Sequence, residues 1–432
     1  MACMRDKWPL RLALLIAVAA AAPLMSGPPA WGLATTLQKQ ISDHEQKLAE
    51  ARAAKSQKDE AAELLSVGDL HWQAGEMQKA LDADNQALGI SRALKSPKLE
   101  AAALNSSGRV YSDLGQNEKA LEYLNQALPI SRAAGDRSSE AQILNNIGVA
   151  DSSLGQNQKA LEYFNQALPI RREVGDRRGE AETLSFDGAA YYYLGQAQKA
   201  LDLDNQALTI QREIGDSRGE GSALNDIGEF YSALGQNQRA LEYLNEALPI
   251  RQKAGDSRGE AETLNNVGLL YGDIGDNQKA LEYLNQALSI RREVGDRAGE
   301  AGTLNNIGTV NAHLGQNQKA LEYFSQSLPV LREVGDRFGE ATTLQNIGRF
   351  YIDLGQKEKA LEYLTYALPI TRAVGDRTTE AYILHNIGAV YYDLGQKEKA
   401  LEYYNQALPI RRETQDRNGE GYTLVKEPLA KS

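Results

Sequence analysis

Apolar residues recur along the chain at the three- and four-residue spacing of amphipathic helices. Between residues 261 and 274, one helical face carries Ala261, Leu264, Val267 and Tyr271. After Gly275 a second apolar set follows at the same spacing: Ala280, Leu281, Leu284, Ala287 and Leu288. No stretch alternates strictly between apolar and polar residues as a half-buried strand does, so the pattern predicts an all-α protein built from helix pairs.

The pattern repeats every 40 residues without insertion or deletion. The tripeptide Leu-Gly-Gln begins at Leu114, Leu154, Leu194, Leu234, Leu314, Leu354 and Leu394. Ala74-Gly75-Glu76 and Ile274-Gly275-Asp276 occupy the same place in two further copies, so nine copies run from residue 61 to residue 420. We name the first helix of each copy helix A and the second helix B. Repeats of this length are typical of arrays in which each unit buries its apolar face against its neighbours.

The ends of the helices are marked by glycine and aspartate. Helix B is followed by a Gly-Asp pair in seven copies: Gly135-Asp136, Gly175-Asp176, Gly215-Asp216, Gly255-Asp256, Gly295-Asp296, Gly335-Asp336 and Gly375-Asp376. Glycine suits the left-handed residue after a helix, and aspartate suits the N-cap of the next helix. The pairs therefore predict where each helix B ends and where the next helix A begins.

Six copies place a proline within helix B: Pro129, Pro169, Pro249, Pro329, Pro369 and Pro409. A proline inside a helix removes one hydrogen bond and bends the axis. Two interpretations stay open, a repeated bend that curves the array or an early end of helix B.

The two ends of the chain depart from the repeat. Residues 1–34 combine basic residues, an apolar run and small residues, with candidate cleavage sites after Ala30 and Ala34. This is the pattern of a secretory signal peptide, so we expect an exported protein, periplasmic or secreted. The alternative is an uncleaved N-terminus that anchors the chain to a membrane.

Residues 35–60 predict a polar capping helix before the first repeat, since terminal units of an array need a polar outer side. Residues 421–432 begin another helix A and then leave the pattern. They form either a true end or the remnant of a connection to a lost domain.

Composition and charge limit the chemistry. The net charge is −11, and an acidic surface repels phosphate backbones, so nucleic acid is not an expected partner. The only cysteine, Cys3, lies in the predicted leader. Four histidines, His44, His71, His313 and His385, are scattered over the chain without metal-ligand spacing. We therefore expect no catalytic residue, no metal and no cofactor, and hence no enzymatic activity.

Several positions carry a resemblance to a known family. Small residues pair at Gly108 and Ala120, an aromatic residue recurs at the place of Tyr111, and Ala127-Leu128 follows in helix B. In these features residues 61–420 resemble tetratricopeptide repeat (TPR) proteins. The 40-residue form is similar to Pins-type adaptors and to the TPR regions of bacterial proteins that carry a caspase-like CHAT peptidase domain.

The resemblance implies a right-handed superhelical solenoid of antiparallel helix pairs, with the A helices on its concave face. It also implies a non-catalytic scaffold that binds a protein or an extended peptide in this groove. The alternative is a regulatory or substrate-recruiting subunit of an enzyme system, such as a peptidase or kinase, on a separate chain.

By the same resemblance, the groove includes the residue that precedes the Ile-Gly pair of helix A. This asparagine row comprises Asn146, Asn266, Asn306, Asn346 and Asn386, with Asp226 in one copy. An amide donates and accepts hydrogen bonds, so each could hold one peptide unit of a ligand. Alternatively, each amide bonds the neighbouring helix.

Other groove candidates differ between the copies. The residue after the glycine of helix A is Arg109, Glu229 or Arg349 in three copies, and apolar or small in others. This variation indicates either graded specificity or drift on a solvated surface. Phe186 and Tyr192 add aromatic groups in one irregular copy, either as an interface anchor or as tolerated variation.

Overall fold

A computed structural model describes residues 30–414, 416–417 and 419–424. Nineteen α-helices lie between residues 30 and 413, residues 419–424 are also helical, and the described residues contain no strand. The helices are α1 (Ala30–Ala53), α2 (Gln57–Gln73), α3 (Met77–Ala93), α4 (Pro97–Asp113), α5 (Asn117–Ala133), α6 (Arg137–Ser153), α7 (Asn157–Glu173), α8 (Arg177–Tyr193), α9 (Ala197–Ile214), α10 (Ser217–Ala233), α11 (Asn237–Lys253), α12 (Ser257–Ile274), α13 (Asn277–Glu293), α14 (Arg297–His313), α15 (Asn317–Val334), α16 (Arg337–Asp353), α17 (Lys357–Val374), α18 (Arg377–Asp393) and α19 (Lys397–Glu413). The predicted all-α array of helix pairs is confirmed.

The predicted leader lies outside the described residues, except for residues 30–34, which belong to α1. The predicted tail is described only over residues 421–424, which are helical. Over the part of the chain that the structure describes, none of the helices combines the length and the apolar character of a membrane span.

Each even-numbered helix from α2 to α18 is a helix A, and the odd-numbered helix after it is its helix B. The two pack closely because helix A carries a glycine at the crossing. A Cβ atom on Gly108 would lie 2.6 Å from Cγ of Leu124, and one on Gly148 would lie 2.5 Å from Cε1 of Phe164. The close approach expected at Gly108 is therefore confirmed, and the group it meets first is the large side chain of helix B.

The helix ends follow the predicted chemistry. Gly135 has φ of 64°, in the left-handed region where glycine pays no steric penalty. Asp136 then caps α6, since its carboxylate accepts a hydrogen bond from the Ser139 backbone N–H at 3.2 Å. The equivalent cap on α8 joins Asp176 to the Gly179 N–H at 2.9 Å.

The prolines lie inside the B helices. The helix α5 runs from Asn117 to Ala133 through Pro129, and the other five prolines are placed in the same way. An early end of helix B at the proline is therefore excluded.

Contact density divides the chain after Glu260. We name the described residues up to 260 the N-terminal unit and those from 261 the C-terminal unit, and each is described by itself. In the N-terminal unit, consecutive A helices from α2 to α10 contact one another, and in the C-terminal unit α14, α16 and α18 do the same. Consecutive B helices make no comparable contact within the described ranges, so the A helices form the inner side of each unit.

A clamp of charged side chains joins successive repeats. Glu140, in the first turn of α6, accepts hydrogen bonds from Arg132 Nε at 2.8 Å and from Arg137 Nη1 at 2.6 Å. Arg137 also donates through Nη2 to Glu173 at 2.8 Å, in the last turn of α7. Burial acts to raise the pKa of Glu140, but the bonds from the two arginines outweigh it and lower that pKa. The clamp thus ties the end of one helix B to the following helix pair.

Candidate binding groove

The inner side of the N-terminal unit contains a cavity of about 180 Å³ between α2, α4 and α6. Its lining is mainly polar: Leu65, Asp69, Ala102, Asn105, Ser106, Arg109, Ser139 and Gln142. All of these residues come from A helices. The cavity therefore lies on the face that sequence analysis expected to bind a ligand, and it includes Arg109.

Arg109 is held in place from two sides. Its Nη2 donates to Asp69 Oδ1 at 2.5 Å, and its guanidinium carbon lies 3.6 Å from the centre of the Trp72 ring. Trp72 in turn donates its indole N–H to Asp113. Burial raises the pKa of Asp113 to about 6, against the effects of the Trp72 hydrogen bond and of Arg109. These contacts fix the guanidinium in one orientation before any ligand arrives.

Asp84, from α3, is a fully buried carboxyl close to this cavity. No described group meets hydrogen-bond geometry with either of its side-chain oxygens. Burial raises the pKa of Asp84 to about 7, while the nearby Ser106 and Arg109 limit the rise and Asp69 adds to it. Three cavity-lining residues thus act electrostatically on Asp84, which sequence analysis did not identify.

Members of the asparagine row bond to the neighbouring A helix. Asn146 Nδ2 donates to Asn105 Oδ1 at 2.9 Å. The same bond joins Asn306 to Asn265 at 3.0 Å and Asn346 to Asn305 at 3.2 Å. For these three residues, the alternative of bonding to the neighbouring helix is what the structure shows. In each case the acceptor is the residue just before the row position of the preceding copy. The recurring Asn-Asn dipeptide was therefore the sequence signal for this hydrogen bond.

The remaining members of the row differ in their surroundings. Asn386 is buried, and Gln345 takes the place of its asparagine acceptor. Asn266 is half-buried. Asp226 is also half-buried, and its negative charge adds to the rise in the pKa of the buried Asp204, whose largest cause is burial. A role of these positions in ligand binding stays a prediction.

The other charged candidates have partners of their own. Asn225 Nδ2 lies 3.5 Å from Glu229 Oε1, at the limit of a hydrogen bond. Arg349 Nε donates to Asp353 at 3.4 Å, within one helix of the C-terminal unit. Both candidates are half-buried and lie on the inner side of their units.

The aromatic candidates pack between helices. The Phe186 ring stacks on Phe164 with ring centres 6.2 Å apart. Tyr192 lies 4.7 Å from Phe230 of the next helix A, measured between ring centres. The structure thus places both side chains within inter-helix packing, and it does not bring either of them to the cavity.

The histidines are not gathered into one site. His385 lies 3.0 Å from the Thr423 hydroxyl, and burial lowers the pKa of His313. Within the described ranges, no three His, Cys, Asp or Glu side chains are grouped so that they could hold a metal ion.

Comparison with known proteins gives a consistent result. The model of the tetratricopeptide repeat family matches residues 47–133, 139–213, 219–293, 299–373 and 358–413. No curated protein sequence matches the chain.

Solved structures with a similar fold include three that the chain covers well, all at low sequence identity. A Rap protein complexed with Competence and Sporulation Factor is 18% identical, with a TM-score of 0.61 over 83% of this chain and 99% of that one. The apo form of the quorum sensor NprR from B. thuringiensis is 17% identical, with a TM-score of 0.56 over 79% of this chain and 98% of that one. The Rap conjugation gene regulator of the plasmid pLS20, in complex with the Phr* peptide, is 15% identical, with a TM-score of 0.56 over 82% and 96%.

The family model covers most of the residues that form the helix pairs, and the solved structures share the fold. The chain therefore belongs to the tetratricopeptide repeat family.

Proposed function

We propose that the chain is a non-catalytic scaffold that binds an extended peptide, or an extended segment of a protein, on the inner face of its helix array. The observation that carries the proposal is the cavity around Arg109. It offers donors and acceptors from Asn105, Ser106 and Gln142 beside the apolar Leu65 and Ala102. A bound peptide requires both polar and apolar groups, because its backbone forms hydrogen bonds and its apolar side chains pack against apolar residues.

Two further observations support the proposal. The structurally similar pLS20 regulator was solved in complex with a peptide, so a fold of this kind can hold one. In addition, Arg109 is oriented by Asp69 and Trp72, and a group that is already fixed loses little conformational freedom when a ligand binds.

The experiment is selection from a phage library of random peptides, about 12 residues long so that an extended peptide of about 40 Å spans four to five A helices. In the variant Ser106→Trp, an indole fills the cavity. In the control variant Gln126→Trp, the same side chain is placed on exposed residue 126 of α5, a helix B. We expect selected peptides to bind the unmodified chain and the control alike, and to lose about tenfold or more in affinity for Ser106→Trp. Failure to enrich any peptide, or equal binding to both variants, overturns the proposal.

A further inference from the structure

The inner face of the N-terminal unit is strongly acidic. We define this face by four positions on each helix A, those of Ala102, Ser106, Arg109 and Asp113 in α4 and their equivalents at 40-residue intervals. The spacing of three or four residues places them on one side of the helix. From α2 to α10 these positions carry five carboxylates and one arginine: Asp69, Asp113, Glu182, Asp226, Glu229 and Arg109. The charge of Glu182 is offset by the buried Arg171 of α7, which donates to it at 3.0 Å.

Several basic residues of the same unit are engaged away from these positions. Lys119, in helix α5, lies 4.0 Å from the centre of the Tyr111 ring. Arg132 and Arg137 are bonded to Glu140 at the junction between repeats. These three cations therefore lie in helix B and at the junctions, and Arg109 is the one cation at the defined inner positions from α2 to α10.

The positive charge of Arg109 is offset by neighbouring carboxyl groups. Asp69 accepts a hydrogen bond from its guanidinium, and Asp84 and Asp113 both interact electrostatically with it. Asp84 in particular is fully buried, with Ser106 and Arg109 acting on its carboxyl group, and a further positive charge nearby would favour its ionised form. The cavity thus resembles an acceptor of cations rather than a site for carboxylate or phosphate.

The C-terminal unit, taken by itself, has the same bias. Its inner positions carry Glu262, Asp273, Asp353 and Asp393 against Arg349. That arginine donates to Asp353, so its charge is also locally offset. Two units with different residues at these positions therefore present the same sign of charge.

We propose that the inner face of the N-terminal unit selects basic peptides, with a lysine or arginine side chain of the ligand seated near Asp69 at the Arg109 cavity. The inference rests on the proposed function and specifies its ligand class. Carboxylates on α2, α4, α8 and α10 attract an extended cationic chain and disfavour an acidic one. Exposed carboxylates act through water, so the attraction weakens as salt screens it.

The first arm of the test is the composition of the selected peptides. We expect enrichment of lysine and arginine relative to the unselected library. If the selected peptides are neutral or acidic and still lose binding to Ser106→Trp, the charge inference is wrong and the proposed function stands. If no peptide is enriched, the proposed function itself fails.

The second arm measures affinity by fluorescence anisotropy, with the strongest selected peptide and a copy in which each lysine and arginine is replaced by glutamine. The variant Asp69→Asn/Glu229→Gln removes two inner carboxylates. The control Glu122→Gln/Glu162→Gln removes two exposed carboxylates of helix B, with the same change in net charge.

We expect the glutamine copy to bind about tenfold more weakly and the inner variant to lose about fivefold in affinity. The control should change affinity by less than about twofold, and raising salt from about 50 to 300 mM should weaken the basic peptide most. Equal losses in the inner and control variants would show that only the overall charge matters, and would overturn the assignment to this face.

Discussion

At the scale of single residues, buried arginines in helix B are matched by glycines in the next helix A. Arg291 of α13 is buried, and a Cβ atom added to Gly299 of α14 would lie 2.5 Å from its Nη1. The same pairing occurs at Arg171 with Gly179, at Arg251 with Gly259 and at Arg411 with Gly419. Where helix B has Ser131 instead, the matching position is Ser139, so the two positions vary together within one chain. The long arginine side chain of helix B thus occupies the space that a side chain at the glycine position of the next helix A would fill.

This pairing predicts opposite effects of alanine at two glycines of α14. Gly299→Ala would place a Cβ atom 2.0 Å from Asp296 Oδ2 as well as near Arg291, and these two flexible side chains must shift, so we expect a loss of about 1 kcal/mol or less in the free energy of unfolding. At Gly302 nothing lies within 4 Å of the added Cβ, and the better helix propensity of alanine should raise that free energy by about 0.5–1 kcal/mol. Urea denaturation followed by circular dichroism measures both, and equal stability of the two variants would contradict the pairing.

At the scale of helices, the charged clamp is interrupted where the sequence replaces one of its members. Arg137 bridges Glu140 and Glu173, and its equivalents Arg177, Arg297 and Arg377 make the same two bonds. In two other copies this position is Ser217 or Ser257. Helices α10 and α12 still begin at these serines. The clamp therefore adds to the stability of the junction without determining where the helix starts.

The element-scale prediction is that Arg137→Ser lowers the free energy of unfolding only slightly. The effect is small because Arg137 and Glu173 are exposed to solvent, where ion pairs are weak, although Glu140 is buried. A double-mutant cycle with Glu173→Gln should give a coupling energy that shrinks as salt is raised. A coupling that does not respond to salt would indicate that Arg137 acts through packing instead.

At the scale of the molecule, the regular parts of the array could be predicted and its exceptions could not. Helix N-caps such as Asp136 can be predicted because the capping residue is visible in the sequence of a single copy. The bond from Asn146 to Asn105 joins residues 41 positions apart. Both residues of that bond are present in the sequence, but only the stacking of consecutive A helices shows that one faces the other. The cavity could not be predicted from the sequence for the same reason, because residues of α2, α4 and α6 all line it.

The exceptions include carboxyl groups in the helix core of the N-terminal unit. Asp204 occupies a position that is Leu124, Leu244, Leu284 or Leu364 in other copies, and it is fully buried. Asp187 replaces the isoleucine that precedes the crossing glycine, and burial raises its pKa to about 6. Burial raises the pKa of Asp204 still further above the ordinary value, with help from Asp226. A charged carboxylate in either place opposes folding.

These groups predict that the chain is more stable in mild acid than at neutral pH. The pKa of Asp84 is about 7 and that of Asp187 about 6 in the folded chain, against an ordinary value of 3.8. Between about pH 4 and pH 7 the folded chain therefore holds more protons than the unfolded chain, so lowering the pH through this window stabilises the fold. Below about pH 4 the aspartates are protonated in both states and the trend reverses, because Glu140 has a lowered pKa and its bonds to arginine are lost on protonation.

The variant Asp84→Leu/Asp204→Leu tests whether the buried aspartates cause the stabilisation in mild acid. Leucine fits beneath the crossing glycine in four other copies, so we expect the variant to gain about 2 kcal/mol or more at pH 8. We also expect it to lose part of its dependence on pH between about 5.5 and 8, while Asp113 and Asp187 keep the rest. Urea denaturation at each pH, followed by circular dichroism, measures both effects. If the unmodified chain has the same midpoint at pH 5.5 and 8, or if the variant keeps the full dependence, then the buried aspartates are not the source of the acid stabilisation.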